Sequence, residues 1–170
     1  MIFLKKVAIF FFDIVDKYIH QKKILNYLKK NLENIEIFFD VGSHRGTYTD
    51  LIINNFKIKK VLMFEPQKII FKFIKKKYIK NKNIIIYNQA ISDKKNKQTL
   101  YINKHDLTSS LSKIDKKNRY LNLKAFLFGG SINDMVKKKS KVNSSKLSEI
   151  IKKSKIRKID LLKIDTEGHE

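Results

Sequence analysis

The chain has 170 residues, 42% of them hydrophobic, which is sufficient for one domain with a buried core. It contains no cysteine, which excludes disulfides and thiolate metal sites and suits a reducing compartment such as the cytoplasm. The formal net charge of +22 comes almost entirely from lysine. Because nucleic-acid surfaces favour arginine, we attribute much of this charge to genome composition. The alternative is that it attracts anionic partners.

Residues 1–34 are predicted to form a helical lead-in. The longest apolar run there is broken by Asp13 and is far shorter than the ~20 residues that a membrane span requires. No small-residue cleavage site follows it, so a signal peptide is not expected. Residues 1–15 either lie on a membrane surface, with Lys5 and Lys6 beside a Phe-rich face, or pack on the domain as a helix. A second helix is indicated by apolar side chains at helical spacing, namely Ile24, Leu25, Leu28 and Leu32.

Short apolar runs alternate with amphipathic segments over residues 35–170. Strands are predicted at residues 36–41, 61–64, 84–87 and 159–164, and helices at residues 47–56, 66–78 and near 147–151. This alternation predicts an α/β domain with a doubly wound, mostly parallel sheet and helices on both faces. Residues 99–102 are expected to add a strand. Residues 104–143 are interpreted as an insertion with short helices, in which the lysine-rich residues 137–141 form a solvated loop.

Acidic and polar residues follow the predicted strands at the points where they end. Asp40, Glu65, residues 88–92 and Asp165 all occupy such positions. The carboxyl ends of parallel strands meet at one edge of a sheet, which is where α/β proteins of this kind bind ligands. These residues therefore predict a single binding site.

The turn after the first strand contains two of the five glycines and reads Asp40-Val41-Gly42-Ser43-His44-Arg45-Gly46. Glycine lets the backbone approach a ligand closely. Glu65, 19 positions after Gly46, is placed to accept hydrogen bonds from ribose hydroxyls. The spacing departs from G-x-G-x-x-G, and Asp40 favours a ligand with a cationic amine over a pyrophosphate such as NAD. The alternative is an ordinary strand-to-helix turn with a helix-capping acid.

Several segments match a known pattern. They are Phe39-Asp40-Val41-Gly42-Ser43-His44-Arg45-Gly46, Phe64-Glu65-Pro66, Asn88-Gln89-Ala90-Ile91-Ser92-Asp93, Ser109-Ser110-Leu111 and Asp160-Leu161-Leu162-Lys163-Ile164-Asp165-Thr166-Glu167-Gly168. Together they resemble the FkbM family of S-adenosylmethionine-dependent methyltransferases. The first two segments are shared by many methyltransferases, whereas the last is quite specific to this family. The resemblance implies a Rossmann-like methyltransferase fold and methyl transfer to oxygen, often on a sugar or a polyketide.

The same resemblance assigns residues to the cofactor, S-adenosyl-L-methionine. It implies that Asp40, Gly42 and Gly46 hold the methionine part and that Glu65 holds the ribose. It further implies that the adenine is lined by Gln89, Ala90 and Ile91. Ser109 and Ser110 match the family pattern and are expected in the acceptor pocket.

Transfer to a hydroxyl requires a base that takes its proton. The candidates are Asp165 and Glu167, as basic or substrate-orienting groups, and His169 as the alternate base. The alternative is that the two acids cap a turn that Gly168 closes. A divalent metal on these two acids is a weaker interpretation, and no metal is predicted.

By the resemblance, further strands would follow residue 170, so we expect the sheet to lack its last strands. Residues 160–164 would then form an apolar sheet edge prone to self-association. Two other functions stay open: a catalytically inactive module that binds S-adenosylmethionine or a partner, and, less favoured, a basic RNA-binding or RNA-modifying protein.

Overall fold

The computed structural model describes residues 20–103, 109–112, 136–166 and 169. Its helices are α1 (Gln21–Asn31), α2 (Thr47–Ile53), α3 (Lys68–Lys77) and α4 (Leu147–Lys153). Its strands are β1 (Ile37–Val41), β2 (Lys60–Phe64), β3 (Ile84–Tyr87), β4 (Ala90–Ile91), β5 (Asn96–Asn103), β6 (Val136–Ser145) and β7 (Leu161–Ile164). The expectations for residues 1–15 and for most of the insertion lie outside the described residues, and the domain division at residue 34 stays a prediction.

The main sheet has the strand order β3-β2-β1-β7, and every pairing in it is parallel. Successive side chains of a strand point to opposite faces. On one face, Phe38 packs in a core cluster with Leu28 of α1, Ile52 of α2 and Ile74 of α3. On the other face, Phe39 packs with Ile150 of α4. Helices therefore cover both faces, which confirms the predicted Rossmann-like α/β class.

Both faces of the two central strands are closed to solvent. Phe38, Phe39, Leu62 and Phe64 are all fully buried. Burying side chains of this size stabilises a fold by roughly 1.5–3 kcal/mol each. The register aligns Val41 of β1 with Phe64 of β2, so the two strands end together. The residues after them consequently meet at one edge of the sheet.

A second, three-stranded sheet follows, and it corrects two expectations. Residues 137–141 form part of strand β6, which pairs with β5 and β4, rather than a solvated loop; residues 136–143 are likewise extended, not helical. The apolar pattern is weak because, among the described side chains of β6, only Val142 and Ser144 are buried. Two of its lysines contact β5: Lys139 Nζ is 5.8 Å from the Tyr101 ring centroid, and Lys141 donates to Thr99.

The start of one helix and the edge of the main sheet bear on the site. Helix α3 begins at Lys68 rather than at Pro66, with Gln67 as its extended N-terminal cap. At the far side of the sheet, β7 pairs with β1, and its other edge has no strand partner among the described residues. Leu162 and Ile164 of β7 are 41% and 45% exposed.

In the described part of the chain, none of the helices is long and apolar enough to cross a membrane.

Candidate functional site

A cleft opens beyond the carboxyl ends of β1, β2 and β7. It encloses an empty volume of about 600 Å³, part of which is open to solvent. Seven of the residues predicted from the sequence line it together: Gly42, Glu65, Ala90, Ile91, Ser109, Ser110 and Asp165. The cleft is thus shared by residues expected to bind the cofactor and residues expected to meet the acceptor.

The glycine loop between β1 and α2 turns back onto β2. Gly42 and Gly46 have φ angles of 72° and 75°, in the left-handed region that favours glycine. The amides of Gly42 and Ser43 donate to Phe64 O at 3.0 and 3.1 Å, and that of Gly46 donates to Ser43 O at 2.7 Å. The His44 amide donates to the Glu65 carboxylate at 2.9 Å. These four N–H groups are occupied within the protein, so the loop is poorly suited to cradle a pyrophosphate.

Gly46 does not line the cleft, although the sequence predicted that it would hold the cofactor. Its φ angle and its neighbour explain its identity, because a Cβ atom there would overlap the hydroxyl of Tyr78. That hydroxyl lies 2.8 Å from Gly46 O and 2.8 Å from Asp50 Oδ1. Lys77 pairs with Asp50 and donates to Arg45 O. Residues at the C-terminal end of α3 therefore hold the glycine loop in place, and the absence of a side chain at Gly46 allows this packing.

Replacing Tyr78 by phenylalanine is expected to loosen this support. The Tyr78→Phe variant loses the hydrogen bond from its hydroxyl, which should lower the free energy of unfolding by about 1 kcal/mol. Urea denaturation measures the change. Tyr27→Phe is the matched control, because Tyr27 is exposed on α1 and its substitution should leave stability unchanged. Equal midpoints for Tyr78→Phe and the unmodified chain would contradict the role of the hydroxyl.

Glu65 lies in the cleft wall and is 3% exposed. Its two carboxylate oxygens accept hydrogen bonds from the backbone N–H groups of His44, at 2.9 Å, and Gln67, at 2.8 Å. Asn88 holds the adjoining backbone by donating to Glu65 O and Pro66 O. Burial raises the pKa of Glu65 to about 7, against the lowering effect of the two backbone hydrogen bonds. Each oxygen keeps a lone pair for a further donor.

Asp40 occupies a different place from the one expected. It is fully buried and does not line the cleft. Its Oδ2 accepts a hydrogen bond from Thr49 at 2.8 Å, and Lys163 Nζ lies 3.3 Å from its Oδ1. Burial raises the pKa of Asp40, while the charge of Lys163 and the hydrogen bond from Thr49 act in the opposite direction. The Asp40 side chain thus faces Thr49 and Lys163, and its predicted contact with a cofactor amine stays a prediction.

Lys163 joins several parts of the site. It faces Asp40 across the β1–β7 pairing, donates to Gly42 O at 2.9 Å and lies 3.6 Å from Asp165 Oδ2. Its Nζ is also 5.7 Å from the centroid of the Tyr48 ring. The Lys163 ammonium group thus links the buried Asp40, the glycine loop and the exposed Asp165 at the cleft.

The three predicted base candidates are placed differently. Asp165 lines the cleft with a side chain that is 61% exposed, and its backbone N–H donates to Val41 O. His169 does not line the cleft, and its two ring nitrogens lie 3.2 Å from Ser92 Oγ and 3.3 Å from Ser112 Oγ. Glu167 lies outside the described residues. Asp165 is therefore the candidate that the geometry brings to the cleft.

The side chains of Ser109 and Gln89 each have a buried polar atom without a hydrogen-bond partner among the described residues. Ser109 Oγ lines the cleft and has no hydrogen-bond partner among the described residues. Gln89 does not line the cleft; its Oε1 accepts from Ser145, while its side-chain nitrogen is buried and unpaired in the described part of the chain. Buried polar groups are normally hydrogen-bonded. The Ser109 hydroxyl is consequently a group that a bound molecule can satisfy.

Sequence reasoning missed Thr49, Tyr78 and Lys163 as site residues. Thr49 lies on α2 and Tyr78 directly follows α3, and neither carries a motif of its own. Lys163 did carry a signal, because it interrupts the apolar strand Leu161–Ile164 two positions before Asp165. A charge at such a position needs a partner, and the parallel register supplies Asp40.

The parallel sheet, the helices on both of its faces and the cleft at the carboxyl ends of its strands define a Rossmann-like α/β protein. The model of the methyltransferase FkbM domain matches residues 40–170. The chain therefore belongs to the FkbM methyltransferase family.

Other comparisons add little. A crystal structure of methyltransferase FkbM from Methylobacillus flagellatus KT is similar to this chain at 17% sequence identity and a TM-score of 0.33. The similarity covers 38% of this chain and 19% of that one. No curated protein matches the chain.

Proposed function

We propose that this chain binds S-adenosyl-L-methionine in the cleft and methylates a hydroxyl group of a sugar, glycan or polyketide-like acceptor. The observation that carries the proposal is the placement of Glu65. A buried carboxylate, held by two backbone N–H groups, stands in the cleft wall beside a glycine loop whose amides are occupied. That arrangement suits a ribose diol and a sulfonium amino acid better than a diphosphate.

The residues of the cleft fit the parts of this cofactor. Glu65 would accept hydrogen bonds from the ribose hydroxyls, and Ala90 and Ile91 provide apolar surface for the adenine. Gly42 allows the methionine part to approach the backbone. Asp40 contributes indirectly, because it holds Lys163 and through it the Gly42 carbonyl.

The cofactor supplies the methyl group in an activated, sulfonium-bound form, so the protein mainly orients the reactants. Asp165 lines the cleft and would receive the proton that the acceptor hydroxyl loses during attack. Lys163, 3.6 Å from Asp165 Oδ2, keeps a positive charge beside that carboxylate. Ser109 and Ser110 line the same cleft and would orient the acceptor.

Cofactor affinity is expected to depend on the ionisation of Glu65. With a pKa of about 7, most of this carboxyl is ionised at pH 8 and about a tenth is ionised at pH 6. Ribose hydroxyls donate to the ionised form, so affinity should fall about tenfold from pH 8 to pH 6. Calorimetric titration of S-adenosylmethionine at the two pH values measures this.

Two variants test the assignment of that pH dependence. At pH 8, Glu65→Gln should bind S-adenosylmethionine more weakly than the unmodified chain does. At pH 6, the affinities of the two proteins should be similar. Glu36→Gln is the matched control, because Glu36 pairs with Lys59 at the opposite end of β1 and should not affect the cofactor. Unchanged affinity in Glu65→Gln would count against the site. Binding without turnover across a panel of hydroxyl acceptors would instead support an inactive cofactor-binding module.

A further inference from the structure

Helix α3 carries two apolar stripes, and only one of them is used by the core. Ile70 and Ile74 are buried against the domain. Ile69 and Phe73 lie on another side of the helix, four residues apart, and are 82% and 52% exposed. Residues at this spacing are neighbours on a helix surface. The pair thus forms a small apolar patch that no described residue covers.

Lysines surround this patch. Residues 66–92 contain no acidic residue, while they include seven lysines: Lys68, Lys72, Lys75, Lys76, Lys77, Lys80 and Lys82. Lys75 lies over the Phe71 ring and Lys77 is paired with Asp50. Lys68, Lys72 and Lys76 are exposed and have no ion-pair partner among the described residues. We call Lys68, Ile69, Lys72, Phe73 and Lys76 the lysine–apolar face.

We propose that the lysine–apolar face docks this chain onto an anionic lipid surface. Apolar side chains bordered by lysines are what an interfacial helix presents to a membrane. Ile69 and Phe73 would enter the headgroup–acyl boundary, and the three free lysines would meet anionic headgroups. RNA is a poorer fit, because the face has no arginine and gives Ile69 no role.

This docking goes beyond the proposed function and does not rest on it. It bears on the cleft through chain order, because α3 begins at Lys68, directly after Gln67, which lines the cleft. A bound lipid surface would therefore lie against the helix that leads out of the site.

Co-sedimentation of the full chain with vesicles tests the proposal. Binding is expected to vesicles of phosphatidylcholine plus phosphatidylglycerol and not to phosphatidylcholine alone, and to weaken with salt. Ile69→Ser/Phe73→Ser and Lys72→Gln/Lys76→Gln should each weaken it by about tenfold. Lys152→Gln/Lys153→Gln on α4 is the matched control: it removes the same charge elsewhere and should keep binding. Wild-type binding by the Ile69/Phe73 variant would overturn the proposal.

A fluorescent probe separates α3 from residues 1–19. The chain contains no tryptophan, so Phe73→Trp creates a single reporter at the patch. A blue-shifted emission and quenching by brominated lipid on addition of anionic vesicles are expected. Vesicle binding without either change would place the contact elsewhere in the chain. Tighter binding to single-stranded RNA than to anionic vesicles would also overturn the proposal.

Discussion

A Gly42→Ala variant is expected to lose cofactor binding together with part of its stability. The added Cβ would overlap the carbonyl oxygen of Asp165, so strands β1 and β7 would have to separate at the cleft. The φ angle of 72° adds a cost of about 1–2 kcal/mol for a residue with a side chain. Together, strain and displacement should lower the free energy of unfolding by about 2–4 kcal/mol.

Urea denaturation and calorimetric titration of S-adenosylmethionine measure the two consequences. Ser43→Ala is the matched control, because it places alanine at the next loop position and removes only a long hydrogen bond to Phe64 O. It should change stability by less than about 1 kcal/mol. If Gly42→Ala binds the cofactor with the affinity of the unmodified chain, the proposal that the glycine loop closely approaches the cofactor is wrong.

A Lys163→Met variant is expected to be strongly destabilised. It leaves the buried Asp40 carboxylate without its counter-charge, a loss that typically costs about 3–5 kcal/mol. The loss should depend on pH. Burial already raises the pKa of Asp40, and removing Lys163 removes an influence that lowers it. The folded variant then binds a proton that the unfolded chain has released, so its stability falls as pH rises, and the deficit should be larger at pH 8 than at pH 5.

Two further variants isolate the pair. Asp40→Asn combined with Lys163→Met should recover much of the lost stability, because no buried charge is left without a partner. Lys158→Met is the control: Lys158 pairs with Asp160 but is largely exposed, so its loss should lower stability far less than the loss of Lys163. A deficit in Lys163→Met that is the same at every pH would show that Asp40 is not its source.

The sequence predicted the main sheet well because its signals are local. Short runs of fully buried residues such as Val61–Phe64 stand out against lysine-rich surroundings, and the strand ends locate Glu65 and Asp165 at the cleft. Strand β6 was mispredicted because exposed lysines dominate its sequence, and Lys139 and Lys141 contact Tyr101 and Thr99 of β5 instead of packing in a core.

The roles of Asp40 and Gly46 were beyond local reasoning for another reason. A residue at a strand end can face the ligand or the helix layer, and the sequence does not state which. For Asp40 the choice depends on Lys163, whose position becomes adjacent only through the β1–β7 register. The packing of Gly46 depends on Tyr78, which directly follows helix α3 and is 32 positions away in sequence.

Lys163 donates to the carbonyl of Gly42 across 121 positions of chain. During synthesis, β1, β2 and β3 emerge long before this lysine does, so the native Asp40–Lys163 pair cannot form in that interval. Contacts between such distant segments form late and slowly. The cleft edge between β1 and β7 is therefore completed only after Lys163 has been synthesised and β7 has paired with β1.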